Sequence, residues 1–440
     1  MDPVLLDQPW VIWGIGLALT ALITLPFILR ERRAEKHAAD GRIEAATYGL
    51  EEPASLHPIV DPARCIGIGS CVKICPEDVL GLELGQGVAI KPARCIGHGL
   101  CDRVCPMDAI QLVFGTEKRG VELPRIQENF ETNVRGLYIV GELGGMGLVA
   151  NAFEQGRQCI DDMMQETDKG PEGLRDLVIV GCGPAGLSAS LNAKHRGLDF
   201  VTLEKEDIGG TVRHYPRKKL VMTRPVKIPG YGKLPIRDIV KEDLIELWED
   251  VVEKLELEVE TGVTVEAIRK RAPLHFEVIT STGTYEAKRV ILAIGRRGVP
   301  RKLDVPGEES PNVQYSLREP ESFTHERILV VGGGDSAVEA AVALSEQPGN
   351  TVTVSYRREA FRRIKPGNQQ SIEAAMSEGR VEVLWNSEVK CIDGTRIEMT
   401  CDDKPLEHEA DQVFIFAGGV LPTPFLRDCG IDIETKFGRP

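Results

Sequence analysis

An α/β fold with two nucleotide-binding sheets, a small α+β cysteine-rich domain and one N-terminal membrane helix is what this sequence predicts, on three observations. Two apolar strands each run into a glycine turn and then a helical stretch, at residues 177–186 and 328–337. Two cysteine runs repeat with a constant offset of 30 residues. Residues 10–29 form an apolar run without a charged side chain, about the length that crosses a bilayer. A chain of 440 residues is long enough for two or three cores, and 42% hydrophobic with 27% charged residues is the balance of a folded protein. The net charge of −14 disfavours nucleic acid as a partner.

The first turn, Gly181-Cys182-Gly183-Pro184-Ala185-Gly186, fits G-x-G-x-x-G after the strand 177–180. Glycines there allow a tight turn, a close backbone approach to a pyrophosphate at a helix N-terminus, and helix-on-strand packing. Glu204 ends the next apolar run, where a carboxylate can hold a ribose hydroxyl, and Lys205 follows it. An ordinary tight turn would not need the strand, the helix and the acid at these spacings, so a Rossmann-like dinucleotide site is expected. The second turn reads Gly332-Gly333-Gly334-Asp335-Ser336-Ala337. Its following strand, 351–356, ends in no acid and runs into Arg357, Arg358 and Arg362. Guanidinium groups can pair with a 2′-phosphate that an acid would repel, so NADPH is preferred over NADH.

In the N-terminal run Trp10 and Trp13 stand at an interface position, and Arg30, Arg32, Arg33 and Lys36 follow. The residues before it carry Asp2 and Asp7 and no basic side chain. The positive-inside rule then places the N-terminus outside and the rest in the cytoplasm, as a single-pass anchor of the inner membrane. No cleavage-site pattern marks a removable signal peptide. Residues 31–58 read as a short helix and tether.

Six of the 11 cysteines lie in the repeat, Cys65, Cys71 and Cys75 against Cys95, Cys101 and Cys105, each run closing in Cys-Pro. This resembles the bacterial two-cluster ferredoxins, in which the last cysteine of each run ligates the other cluster. The family's second cysteine is replaced by Ile68 in one run and by His98 in the other. The resemblance implies one site from Cys65, Cys71 and Cys105, suited to a 3Fe-4S cluster because Ile68 has no donor. The other has Cys95, Cys101 and Cys75 with His98, which either completes a 4Fe-4S cluster or borders a second 3Fe-4S cluster. Zinc, or a decayed domain without metal, is the plainer alternative. Cys159, Cys182, Cys391, Cys401 and Cys429 are assigned no chemistry.

The segment 130–142, Phe-Glu-Thr-Asn-Val-Arg-Gly-Leu-Tyr-Ile-Val-Gly-Glu, resembles the closing motif of the low-molecular-weight thioredoxin reductases. In that family it follows the rest of the FAD domain, and its acid bonds the flavin ribityl chain. Here Gly141 and Glu142 occupy the motif, with glutamate for aspartate, and they precede the first glycine turn. Residues 411–433 are similar to the family's penultimate strands, and 120–124 resume about where the family would continue. The resemblance implies a circular permutation joined through a polar linker, 165–173. It also implies a flavin loop at Gly210 and Thr211, and further FAD contacts at Val265, Ala293 and Gly295. The expected divisions are an anchor (1–30), a linker (31–58), an iron–sulfur domain (59–115), the permuted closing segment (116–173), FAD (174–300) and NAD(P)H (301–410) domains, and a return segment (411–440).

The family's redox-active Cys-x-x-Cys lies shortly before the second glycine turn, where this sequence has 315–323 and no cysteine. Electrons therefore need another outlet, and the iron–sulfur repeats supply one, with FAD converting a two-electron hydride into single electrons. The expected activity is that of a membrane-anchored, FAD-dependent NAD(P)H oxidoreductase similar to the thioredoxin-reductase-like ferredoxin–NADP reductases. Its protein donor or acceptor is unidentified, electron flow is allowed in either direction, and a homodimer is allowed by the resemblance. No protein side chain is assigned as general acid or base. A direct disulfide reductase, or a non-catalytic redox sensor or assembly module, are the alternatives. The basic stretch Arg213, His214, Arg217, Lys218, Lys219, Arg224 and Lys227 reads either as a docking patch or as a solvated loop.

Overall fold

The computed structural model describes residues 9–53, 56–118, 120–145, 147–168, 170–215, 217–222, 225–234, 238–296, 298–361 and 364–438. Asp2, Asp7, Arg224, Arg362 and the side chain of Trp10 lie outside the described residues. Two compact units form, one from 1–120 with 437–440 and one from 121–436.

The first unit opens with α1 (Pro9–Tyr48), 40 residues that remain helical through Pro26. Its apolar half is fully solvent-facing in the isolated chain, with Trp13 74% and Leu22 72% exposed. Among the described residues it is the helix long and apolar enough to cross a membrane. Of residues 31–58, expected as a short helix and tether, 31–48 are helical as the continuation of α1 and pack onto the cysteine-rich domain. Ala38 and Ala45 are fully buried. That domain is built from the antiparallel pair β1 (Leu56–Val60) and β4 (Ile110–Phe114), the hairpin β2 (Leu80–Glu83) and β3 (Gln86–Ala89), and the short helices α2 (Ser70–Ile74) and α3 (Leu100–Arg103). Gly81 lies so close to Ala38 that a Cβ there would sit 3.0 Å from the alanine methyl. Lys91, whose side chain is 3% exposed, is neutralised by Glu44 of α1 at 3.1 Å and by Asp78, while His37 pairs with Asp78 at 2.9 Å. A buried ammonium needs such partners, so α1 is clasped to the segments that carry Cys75 and Cys95.

In the second unit, β5 (Val121–Pro124) and β6 (Leu137–Ile139) precede α4 (Val149–Met163), β7 (Arg175–Val180), α5 (Pro184–His195) and β8 (Phe200–Glu204). Helix α6 (Lys241–Lys254), β9 (Glu260–Thr261), β10 (Val265–Ala272), β11 (His275–Thr280) and β12 (Thr284–Leu292) follow. The sheet runs β9-β8-β7-β12-β11-β10, with β6 on the C-terminal half of β12. Strand β7 is buried on both faces, Leu177, Val178 and Ile179 at 0% exposure, which is why it is written as a continuous apolar run rather than an alternating one. Each such side chain contributes about 1.5–3 kcal/mol over remaining exposed. Strand β6 pairs parallel to β12 through Leu137–Val290, Tyr138–Ile291 and Ile139–Leu292, so a segment earlier in the chain than β7 completes the sheet beside it. Helices α4 and α5 touch at Gly156, where a Cβ would lie 2.2 Å from the Ala185 carbonyl oxygen.

The second sheet, β13 (Val313–Gln314), β17 (Gln412–Ile415), β14 (Arg327–Val331), β15 (Thr351–Tyr356) and β16 (Val381–Trp385) in that spatial order, is parallel throughout. It carries α7 (Asp335–Ser345) and α8 (Pro366–Ser377), while residues 387–409 form a three-stranded antiparallel sheet. Finally β18 (Ile433–Lys436) pairs antiparallel with β5, Ile433 opposite Pro124 and Lys436 opposite Val121.

Candidate functional site

The first glycine turn joins β7 to α5, and each glycine has its own reason. Gly181 has φ +97°, and a Cβ there would lie 2.7 Å from the Ala293 carbonyl oxygen; a Cβ at Gly186 would lie 1.8 Å from the Gly181 oxygen. Both are therefore set by strand–helix contact. Gly183 differs, because the nearest heavy atom to its Cβ would be Gly210 Cα at 4.0 Å, leaving room for a ligand against bare backbone. Pro184 occupies the first turn of α5, where a missing N–H costs nothing. Glu204, 8% exposed, accepts hydrogen bonds from the backbone N–H of Cys182 at 2.6 Å and of Glu206 at 2.9 Å. Its carboxylate is thereby fixed at the edge of the turn. Burial first, and the nearby Glu204 second, push the Cys182 thiol up to about 12, so this cysteine is inert.

Three other segments meet this turn, and a fourth meets Glu204 beside it. Gly209 N–H donates to Cys182 O at 2.9 Å, which lays Gly210 and Thr211 against Gly183. Ala293 N–H donates to Val180 O at 2.8 Å and leads to Gly295 at φ +66°. Gly141, at φ +81°, would place a Cβ 3.0 Å from that of Ala185, so the closing segment abuts the start of α5 and presents Glu142 beyond it. Val265 opens β10 and packs partly buried on the sheet's core, two residues past Val263, whose N–H donates to Glu204 O at 3.0 Å. Arg296, which the sequence reading passed over, lies half-buried after Gly295 with Glu142 as its charged neighbour.

The second turn repeats the design. A Cβ at Gly332 would lie 2.5 Å from the Phe416 carbonyl oxygen, whereas Gly334 has open space. Asp335 accepts from the Lys365 N–H and from Asn368 Nδ2, both at 2.7 Å, which holds α8 against α7; Ser336 follows it in the helix. Arg357 and Arg358 emerge exposed from β15. The ring of Tyr356 covers Gly333, leaving no room for a side chain there. In the basic stretch Arg213 pairs with Glu249, His214 with Glu206 at 2.7 Å and Lys219 with Glu339 at 3.3 Å, so much of its charge is spent within the unit.

In the first unit the repeats cross. Cys65, Ile68, Cys71 and Cys105 line one pocket; Cys75, Cys95, His98 and Cys101 line the other, with Glu77. Gly67, Gly69, Gly97 and Gly99 all have positive φ and shape the two ligand loops. Backbone donors face the sulfurs, Gly87 N–H to Cys65 Sγ at 3.2 Å and Ala109 N–H to Cys105 Sγ at 3.3 Å. A Cβ at Gly87 would sit 3.7 Å from Sγ of both Cys65 and Cys71, so this hairpin glycine, overlooked in the sequence, shapes the first pocket. Among the described residues no three His, Cys, Asp or Glu side chains gather tightly enough for a single ion. Thiols set wider than one ion requires suit a polynuclear cluster better than zinc. Burial pushes the Cys95 thiol up to about 11, and it lowers the His98 pKa against the opposing influence of Glu77.

A family model described as pyridine nucleotide-disulphide oxidoreductase matches residues 178–440, more than half of the chain. The chain belongs to that family. A 4Fe-4S dicluster domain matches residues 57–118. Among relatives, a ferredoxin–NADP reductase of Ignicoccus hospitalis is 33% identical over 247 residues, 53% of this chain and 75% of the relative. One of Thermus thermophilus is 32% identical over 272 residues, 59% of this chain and 77% of the relative. Among solved structures, the bacillithiol disulfide reductase Bdr of Staphylococcus aureus is 25% identical with a TM-score of 0.52, covering 59% of this chain and 81% of that one. With its two glycine turns and paired cysteine runs, the chain is an NAD(P)H-dependent flavoprotein oxidoreductase carrying a 4Fe-4S-type domain.

Proposed function

We propose that this protein is a membrane-anchored oxidoreductase that exchanges electrons between NADPH and a one-electron protein carrier, in the manner of a ferredoxin–NADP reductase whose iron–sulfur domain is part of the same chain. The observation that carries the reading is the pairing of two dinucleotide turns with two crossed cysteine pockets, in a chain with no cysteine between Cys182 and Cys391. Bound FAD would accept a hydride's two electrons together and release them singly, as clusters require. Gly183, Glu204, Gly210 and Glu142 hold it; Gly334, Arg357 and Arg358 receive the pyridine nucleotide, with the 2′-phosphate favouring NADPH over NADH. Helix α1 crosses the inner membrane through 10–29 with its N-terminus outside. Electron flow from reduced carrier to NADP⁺ is equally compatible with these residues.

The chain is read as a circular permutation of its family. Supporting this, β6 enters the sheet beside β12, β18 is joined by β5, and the aligned region covers only 75% and 77% of the two reductases.

An anaerobic NADPH titration of the detergent-purified protein, following flavin absorbance and iron–sulfur EPR together with NADH in parallel, tests the reading. Flavin bleaching followed by cluster reduction is the expected order. Bleaching with intact clusters that never respond would remove the internal electron path. A second reading, direct reduction of a low-molecular-weight disulfide, is favoured by the likeness to Bdr. Turnover of bacillithiol or glutathione disulfide at a rate exceeding that with one-electron acceptors would decide for it.

The first pocket is proposed to hold a 3Fe-4S cluster on Cys65, Cys71 and Cys105. In the second, Cys75, Cys95 and Cys101 are joined by His98 as a fourth ligand of a 4Fe-4S cluster or bordered by it around a 3Fe-4S cluster. Ile68→Cys supplies the missing thiolate in the first pocket and is expected to convert the oxidised three-iron EPR signal of that site to an EPR-silent oxidised four-iron state. Persistence of the wild-type signal in the fully loaded variant would rule out the first assignment.

A further inference from the structure

Arg296 is a half-buried cation without a hydrogen-bond or ion-pair partner among the described residues. It follows Gly295 at the exit from β12, and its guanidinium carries five donors. Arg289 on the same strand makes two bonds to Glu166 and one to Asp168 O, at 2.6–3.2 Å. Desolvation works against the charge of Arg296, and the charged group that opposes this is Glu142. Arginine nonetheless stays protonated, so a positive charge with Glu142 as its charged neighbour stands there at any working pH.

The position of the pair matters. Ala293, three residues before Arg296, presses its carbonyl on Gly181, and Gly141, one residue before Glu142, presses on Ala185. Both side chains therefore leave segments that flank the first glycine turn and the start of α5. A contact to the FAD pyrophosphate is one use for a free guanidinium. A carboxylate beside it disfavours that use, because Glu142 would repel the diphosphate in the resting state, whereas a neutral oxidised isoalloxazine tolerates the pair.

We propose that Arg296 is a charge-compensating residue for the flavin, balanced by Glu142 before reduction and turned to the isoalloxazine when hydride arrives. The inference rests on the FAD reading given above. Hydride transfer moves two electrons and one proton from NADPH, which leaves as NADP⁺, and adds one negative charge to the flavin. A cation fixed in a partly desolvated site stabilises the anionic reduced form without taking up a second proton. Glu142 acts in the opposite sense, so the two side chains together set the flavin's position relative to the nicotinamide couple.

The test is an anaerobic titration of the full-length protein at fixed NADPH/NADP⁺ ratios, read by flavin absorbance, with FAD affinity measured separately in the oxidised and reduced states. Arg296→Gln is expected to move the flavin–nicotinamide equilibrium about tenfold against reduction, about 30 mV for a two-electron couple, while leaving oxidised FAD affinity within about threefold. Arg296→Lys, which keeps the charge, should recover most of the shift. Glu142→Gln should move the equilibrium the other way, and this variant carries the test by itself if Arg296→Gln does not fold. Equal weakening of oxidised and reduced FAD, or an unchanged equilibrium in both variants, overturns the proposal. Wild-type protein that purifies and reconstitutes without FAD would instead remove the FAD reading beneath it.

Discussion

Gly183→Ala is expected to give a protein that folds, retains its iron–sulfur clusters and has lost most of its FAD. Among the described residues the added methyl meets no close contact, Gly210 Cα lying 4.0 Å away, and Gly183 has φ −73°, which alanine adopts without strain. What it obstructs is a ligand approaching the backbone at the N-terminus of α5. An overpacking cost of about 1–3 kcal/mol corresponds to about 5- to 150-fold in FAD affinity. Gly186→Ala is the control of opposite kind. Its methyl would stand 1.8 Å from the Gly181 oxygen, so α5 has to leave β7, and the cooperative unfolding of the second unit itself should suffer. Flavin-to-protein ratio, circular dichroism and urea midpoint separate the two. A Gly183→Ala protein with stoichiometric FAD and wild-type affinity would mean that this cradle is not the cofactor's.

The glycine turns and cysteine repeats were legible in the sequence because each is local. A strand, a turn and a helix within 20 residues state their own geometry, and a fixed offset between cysteines survives whatever surrounds it. The substitution of Ile68 and His98 for cysteine was equally plain, and both fall in the pockets expected from the crossed pattern. Features made by convergence were not legible. Nothing near Gly87 marks it as facing two sulfurs, since the contact is created by a hairpin that folds Gly87 back onto cysteines 16 and 22 residues before it. Arg296 is one more basic residue after a strand, and what singles it out is half-burial without a hydrogen-bond partner among the described residues. Residues 31–58 read as a short helix and tether, and their charges hide the packing of two buried alanines, Ala38 and Ala45, seven residues apart on one helical face. The 2′-phosphate reading rests on Arg357 and Arg358, because Arg362 lies outside the described residues.

The linker between the permuted halves is where the polar sequence misleads most, and it supplies the other large expected effect. Residues 165–173 look like a solvated spacer, yet Glu166 reaches into the sheet. It accepts from the phenol of Tyr138, fully buried on β6, and from Arg289 Nη2 of β12 at 2.9 Å, and Arg289 also donates to Asp168 O at 2.6 Å. Burial and the neighbouring Glu166 hold the Tyr138 phenol far above its ordinary value, so it remains a donor at every relevant pH. The linker thus ties β6, which precedes it, to β12, the strand with which β6 pairs. Glu166→Gln leaves the Arg289 guanidinium, whose side chain is 9% exposed, without its counter-charge. Breaking one partner of such a pair costs about 3–5 kcal/mol, far above the effect of losing an exposed pair. Arg135→Gln, which removes the neighbouring 2.9 Å pair to Asp168 between side chains 61% and 47% exposed, should cost about 1 kcal/mol or less. Combining Glu166→Leu with Arg289→Met should recover part of the loss, since an apolar pair carries no buried charge. Urea unfolding followed by flavin fluorescence measures all three. If Glu166→Gln unfolds within about 0.5 kcal/mol of wild type, the linker is a passive spacer and the permuted segment is held by β6 and α4 alone.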